Sequence, residues 1–530
     1  MEKIEKHHKK ILLFILIIAV LIRLLFIAQA PNGIHEDEAG MAYDAWSISE
    51  YGVDRYLNHN PVYLINFGGG QSALYAYLAA FFIKIFGFSV LAIRLPSILL
   101  SIITIVLSYL IVKKLKGPRD ALLFTFLISI CPWHIMQSRW GLDCNLLSSF
   151  FAIDLFLLLS STKAWHYIIT GIFVGLTLYT YALSYIMLPF FMLILLIYLL
   201  YTKKITIKNI LIMAIPILIL AFPLLLTQFI NFANIGTIDL GFITIPKMPN
   251  YRISEIGFKN VLQNLNILRF GNIFQLLFGY EYIEVSAFKA FGTMYYVLIP
   301  FVLYGLFIAS KNVISDIKNK KFSIDTVFLI QFLTVFLFLL FVSNLQVHKL
   351  NTLFIPCLYF ATIAIIKITS KNRILLITVL SILLILFGLF TYYYFTNINE
   401  KMGVTFNNDL IPLVQYINEK DEYKDKLIHI ESDAIQQYIY VLLAEKISPY
   451  DFFPTMQMVS SGPDTYEVIA FGKYSFLQYS PINKDTIYVV ENTNCFRQKL
   501  TDTLKQNLEK LHFQKEEWNG FSIYSYNLEN

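Results

Sequence analysis

Three short segments of this sequence carry side chains able to do chemistry, and each stands beside a long apolar run. His35-Glu36-Asp37-Glu38 places three acids in a row with no basic neighbour. Gln137-Ser138-Arg139-Trp140-Gly141-Leu142-Asp143-Cys144-Asn145 brings a guanidinium and a carboxylate into one turn, and Asn344-Leu345-Gln346-Val347-His348-Lys349-Leu350-Asn351 adds two cationic groups. Carboxylates of this kind serve as general bases or as ligands for hard cations, and the cations bind phosphate or carboxylate groups. Each segment also has an ordinary explanation. The acids can be the N-cap and first turn of a helix through AGMAYDAWSISEYG, where negative charge complements the helix N-terminus. His348 and Lys349 can simply extend their polar ends into a membrane interface. Residue type alone leaves both explanations standing.

The elements that must position these segments are membrane spans. Residues that are 57% hydrophobic, 16% aromatic and 15% charged are far from a soluble balance, and the apolar ones come in blocks. With about 20 apolar residues needed per crossing, the suitable runs lie near 11 to 30, 89 to 112, 121 to 137, 145 to 161, 165 to 181, 184 to 202, 209 to 229, 293 to 310, 325 to 343, 350 to 368 and 373 to 395, about eleven spans. The segment Ser72 to Gly87 is apolar but short and carries Lys84. If it lies along the outer interface, the N-terminal lysines, Lys113 to Arg119, Lys203 to Lys208, Lys311 to Lys321 and Lys367 to Arg373 all face the cytoplasm; if it crosses, the positive-inside bias is reversed. The interfacial placement is therefore expected.

That topology puts long segments outside, the loops 31–88 and 231–292 and the tail, and only short ones inside. Such a pattern places recognition or chemistry on the extracytoplasmic face. The expected domains are a transmembrane domain over 1–396 and a small extracytoplasmic α/β domain over 397–530, where DTIYVVENTN and GFSIYSYNL alternate like strands and DTLKQNLEKL has helical spacing. The net charge of +6 arises from clusters at helix ends, which speaks against nucleic acid as a partner. Cys131, Cys144, Cys357 and Cys495 have no metal-type spacing, and no disulfide framework is expected. The opening MEKIEKHHKK and its apolar run read as a retained first helix, since no small-residue cleavage site follows.

In their order and topology the motifs resemble the GT-C fold glycosyltransferases, in the branch of protein O-mannosyltransferases and aminoarabinose transferases (glycosyltransferase family 39-like). The resemblance rests on Asp37-Glu38-Ala39-Gly40-Met41-Ala42-Tyr43 after the first helix and on Phe67-Gly68-Gly69-Gly70-Gln71-Ser72 before the interfacial one. It continues through Ala92-Ile93-Arg94-Leu95-Pro96-Ser97, Pro132-Trp133-His134, Ser138-Arg139, Tyr181 to Pro189, and His348-Lys349-Leu350-Asn351 with Pro356. It covers roughly residues 11 to 370 and leaves the tail out. The sequence departs from the aminoarabinose transferases where they carry Lys-Pro and this chain has Gly70-Gln71-Ser72. No Trp-Trp-Asp motif occurs, against an oligosaccharyltransferase.

What the resemblance implies is an all-α polytopic membrane domain and a sugar donor linked through phosphate to a polyprenol, drawn from the membrane lipid. The sugar would pass to a hydroxyl of an extracytoplasmic acceptor (protein, lipid or cell-envelope glycan), with inversion. Prenyl phosphate leaves readily, so one base suffices, in contrast to the paired carboxylates of glycoside hydrolysis. Asp37 is the expected base and Glu38 the second candidate. Asp143 would orient the base or acceptor, or join Asp37 around a divalent cation (Mg²⁺ or Mn²⁺), which the sequence leaves unassigned. Arg139, His348 and Lys349 would meet the departing phosphate. Gln71, Arg252, Glu281 and Glu284 are further candidates for the cavity. Two rivals stay open, a transporter or flippase of a lipid-linked or polar substrate and a non-catalytic cell-envelope assembly subunit. Against the former, no internal repeat is apparent and few charges fall mid-helix. The Lys- and Ile-rich, Ala-poor composition suggests a bacterium and hence the plasma membrane.

Overall fold

The structure, a computed structural model, describes residues 2–249, 256–281, 283–461, 465–476, 481–492 and 498–526. Every apolar run is helical, as it must be where no water is at hand to satisfy backbone N–H and C=O groups. The helices are Glu2–Leu24, Val90–Lys116, Pro118–Ile130, Leu147–Ser160, Ala164–Thr177, Ser184–Tyr201, Ile207–Phe232, Ile299–Lys318, Ile324–Leu339, Asn351–Thr369 and Arg373–Phe395. Among the described residues seven stretches are long and apolar enough to cross a membrane, and Leu74–Phe86, Ala164–Thr177 and Ile324–Leu339 are shorter apolar helices. The chain is a multi-pass membrane protein. One expected run, 121 to 137, is two helices: Ile130 ends the first, Cys131 is extended, and Pro132 opens Pro132–Gln137. Proline tolerates a first helical turn, where its missing N–H would have no partner in any case.

Two compact units divide the chain. The first comprises residues 1–31, 71–229 and 252–402, and the second 32–70, 230–251 and 403–530. In the first, Asn351–Thr369 lies at the centre. In the most apolar stretch of its span 83% of the residues are buried, against 11% for Arg373–Phe395, most of whose surface the protein leaves uncovered. Close approach to this central helix depends on Gly305: a Cβ there would stand 1.8 Å from the Phe360 carbonyl oxygen, so no larger residue fits without separating the helices.

The second unit is built on a seven-stranded sheet with order Gln514–Trp518, Phe521–Ser525, Thr486–Glu491, Leu427–Glu431, Tyr474–Phe476, Tyr466–Phe471 and Gln457–Ser460. Leu427–Glu431 runs parallel to both of its neighbours and the remaining pairs are antiparallel. The two tail segments expected as strands and the one expected as a helix (Gln498–Lys510) are found as such. Leu504 and Leu508 of that helix pack on Tyr488, Val490, Phe513 and Tyr524, which explains its apolar stripe.

The segment after the first membrane helix belongs to this second unit. The Ile34 N–H donates to the Phe406 carbonyl at 2.7 Å, Tyr440 Oη to the Ile34 carbonyl at 3.1 Å, and Tyr43 Oη to the Ile447 carbonyl at 2.5 Å. The Val62 N–H donates to the Thr244 carbonyl at 3.0 Å, joining the middle segment to the same body.

Candidate active site

The acidic run is the first turn of the helix Glu36–Tyr51, with His35 as its N-cap; His35 Nδ1 accepts from the Asp37 N–H at 3.3 Å. The ordinary explanation for the acids is thus part of their role. The three nonetheless differ in exposure. Glu38 is fully buried, the Glu36 side chain is 20% exposed, and the Asp37 side chain is 42% exposed. Burial pushes the Glu36 carboxyl above its ordinary range.

Behind Asp37 lies a buried polar cluster that the sequence reading did not single out. Asp44, two turns along the same helix, forms a two-pronged ion pair with Arg55: Nε to Oδ1 at 2.9 Å and Nη2 to Oδ2 at 2.7 Å. Arg55 further donates to the Gly40 carbonyl at 2.5 Å and to Tyr438 Oη at 2.9 Å. Burial works most strongly against the charge on Arg55, but the Asp44 carboxylate together with Tyr438 and Tyr56 outweighs it and holds the guanidinium well above its ordinary pKa. Asn66 stands between this pair and Asp37, accepting from Arg55 Nη2 at 3.3 Å and donating from Nδ2 to Asp37 Oδ1 at 3.4 Å. The one signal in the sequence was Asp44 itself, an acid on the face of the helix that also carries Met41 and Ala45.

In the membrane unit the two other polar turns do meet. Asn351 Nδ2 donates to the Cys144 carbonyl at 2.9 Å, and Asn351 Oδ1 accepts from Trp133 Nε1 at 3.1 Å and from Gln137 Nε2. Asp143 is buried and accepts from the Cys144 N–H at 2.7 Å and, through Oδ2, from the Ser72 N–H at 3.1 Å, so it ties this turn to the entry of the short helix Leu74–Phe86. Among the described residues Gln71 Oε1 and Ser72 Oγ beside it are buried without a hydrogen-bond partner, atoms that a bound polar group would satisfy. Lys349 is 9% exposed and donates to the Ser343 carbonyl at 3.2 Å, while the half-buried His348 meets the Tyr181 ring edge-on at 6.2 Å. Glu281 joins this group by accepting the Val347 N–H at 2.9 Å, whereas Glu284 accepts from the Lys289 N–H. Arg252 lies outside the described residues, as does Cys495.

Arg139 is fully buried and committed within the fold. It donates to the carbonyls of Ile22 at 2.6 Å, Leu25 at 2.8 Å, Phe26 at 3.1 Å and Ala30 at 2.8 Å, and lies over the Phe395 ring at 4.9 Å. Arg94 donates to the Ile27 and Pro31 carbonyls at 2.8 and 3.0 Å. Together they satisfy carbonyls that a helix C-terminus and the turn after it leave unpaired. Among the described residues no group of three or more His, Cys, Asp or Glu converges as a metal site.

The family model of dolichyl-phosphate-mannose-protein mannosyltransferases matches residues 71–227. The crystal structure of ArnT from Cupriavidus metallidurans in the apo state superposes with a TM-score of 0.57 at 10% identity, covering 97% of each chain. ArnT from the same organism bound to undecaprenyl phosphate gives 0.54 at 11% identity, covering 98% of each. No curated protein matches the sequence. The chain shares the GT-C fold of these structures, and its residues 71–227 are similar to that mannosyltransferase family.

Proposed function

We propose that this protein transfers a sugar from a polyprenyl-phosphate carrier to a hydroxyl of an extracytoplasmic acceptor, with inversion and with Asp37 as general base. The observation that carries the proposal is the state of Asp37, the most exposed of the three acids and yet held from behind by the Asn66 amide. A base must be open to its substrate and fixed in direction at once. The fold shared with an ArnT that binds undecaprenyl phosphate supports a lipid-phosphate donor.

In this reaction the acceptor oxygen bonds to the anomeric carbon as its proton passes to the Asp37 carboxylate. The bond from that carbon to the phosphate oxygen breaks, and its electron pair leaves on the polyprenyl phosphate. His348 and Lys349 are the proposed cations for the charge that builds there. The unpartnered Gln71 and Ser72 oxygens are proposed to accept from sugar hydroxyls, with Asp143 fixing that segment. Arg139, spent on four carbonyls, is proposed to act only by holding the turn that leads out of the first helix. Glu38, fully buried, is left with a supporting role.

Asp37→Asn keeps the size of the side chain and removes its basicity. It should abolish transfer while leaving expression and membrane insertion intact, a loss of roughly 10²- to 10⁴-fold. Transfer at the native rate by this variant would refute the assignment. Mass spectrometry of cell-envelope glycans and glycoproteins from cells lacking the chain should show the sugar and acceptor as a missing product.

A further inference from the structure

Asn66 touches both the proposed base and a buried ion pair that takes no part in the reaction. Its side chain is 8% exposed. An arginine offers donors only, so the Asn66 amide oxygen must face Arg55, and its NH₂ group is thereby turned to Asp37. Arg55 cannot swing away to release this orientation. Asp44 holds it with two bonds of 2.9 and 2.7 Å, the Gly40 carbonyl shares Nη2 at 2.5 Å, and Tyr438 Oη accepts from Nη1 at 2.9 Å. Gly40 makes the arrangement possible, because a Cβ at that position would stand 2.5 Å from Asn66 Oδ1 and 2.9 Å from Arg55 Nη2.

We infer that Asn66 is a positioning residue for Asp37, aligned by the buried Asp44–Arg55 ion pair. This rests on the proposal that Asp37 is the base. The Asn66 amide engages Asp37 Oδ1, leaving Oδ2, 4.0 Å from His35 Nδ1, as the oxygen that receives the acceptor proton. A neutral donor suits this task better than a cation would. It fixes the carboxylate without the strong charge pairing that lowers a base's proton affinity.

The discriminating variant is Asn66→Asp. It has the same shape and still offers Arg55 an oxygen, but it replaces the donor to Asp37 with a second carboxylate. If Asn66 merely fills space beside Arg55, the new ion partner leaves the enzyme as active as before. If it positions Asp37, kcat falls at least about tenfold with the donor KM within about twofold, and the melting temperature holds. The assay follows release of polyprenyl phosphate by the full-length protein in proteoliposomes, with radiolabelled lipid-linked sugars extracted from membranes of the source cells as donors. Asn66→Ala covers the case in which Asn66→Asp does not fold; it should lower kcat in the same direction, by less. Native kcat in either folded variant, beside an inactive Asp37→Asn, overturns the positioning role and leaves the base assignment standing. An active Asp37→Asn, or no release by the native protein, overturns both.

Discussion

At the scale of single residues, the unit that carries Asp37 contains a carboxyl whose titration should be measurable. Asp54 accepts the N–H groups of Tyr56 and Asn58, both at 2.9 Å, and burial raises it to about 7, with the nearby Asp44 charge adding to the effect. In the unfolded chain such a group ionises near pH 4, so the folded state binds the proton more tightly. Its ionisation then opposes folding. Stability should fall as pH rises from about 4 to about 7, by roughly 4 kcal/mol, and level off above that. Asp54→Asn keeps an acceptor for the two N–H groups and removes the charge. Melting curves should place this variant above the native protein by a margin that widens from pH 5 to pH 8; a margin independent of pH would refute the assignment. Asp54 stands in DRYLNHN, where a solvated turn would have been the natural expectation, and nothing local announces that the turn is buried.

At the scale of elements, Arg139 shows how a residue can be legible in the sequence by type while its partners in the fold are not. The sequence places a guanidinium in a short turn between two helices, and a cation beside a carboxylate invites the idea of a phosphate site. Its partners are the carbonyls of residues 22 to 30, more than a hundred positions away in the chain. No pattern in a single sequence encodes that approach. Arg139→Met should lower the melting temperature in detergent, with a loss on the order of 3 kcal/mol, because several carbonyls lose a charged donor. A variant that melts like the native protein but binds its donor weakly would instead return Arg139 to the phosphate. The helices themselves were plain in the sequence, since each apolar run is long compared with the turns between them. The break at Cys131 was not, although Pro132 marked where it would fall.

At the scale of the whole molecule, topology is the property most open to a direct test. Lys208 and Asn344 are both exposed, and on the expected orientation they lie on opposite sides of the membrane. In a background with Cys495 replaced by serine, a membrane-impermeant maleimide should label Asn344→Cys in intact cells and Lys208→Cys only after permeabilisation. Cys131, Cys144 and Cys357 are buried and should stay silent. Equal labelling of both positions in intact cells would overturn the topology and with it the placement of Ser72 to Gly87.

Hydropathy, charge bias and motif order are properties of neighbours along the chain, and the sequence by itself determined what depends on them. These are the membrane class, the helical runs, the strands and helix of the tail, and the resemblance to GT-C enzymes. What only the tertiary structure decided depends on residues distant in sequence. It joined 32–70 and 230–251 to the tail in one compact unit, brought the turns around Cys144 and Asn351 together, and turned Arg139 inward. It also distinguished three adjacent acids by burial alone, with Glu38 inside and Asp37 open, because consecutive residues on a helix point in different directions. The Asp44–Arg55–Asn66 chain behind Asp37 belongs to the same category. A buried ion pair persists only where every surrounding group is already in place, and that condition is met by the folded chain as a whole.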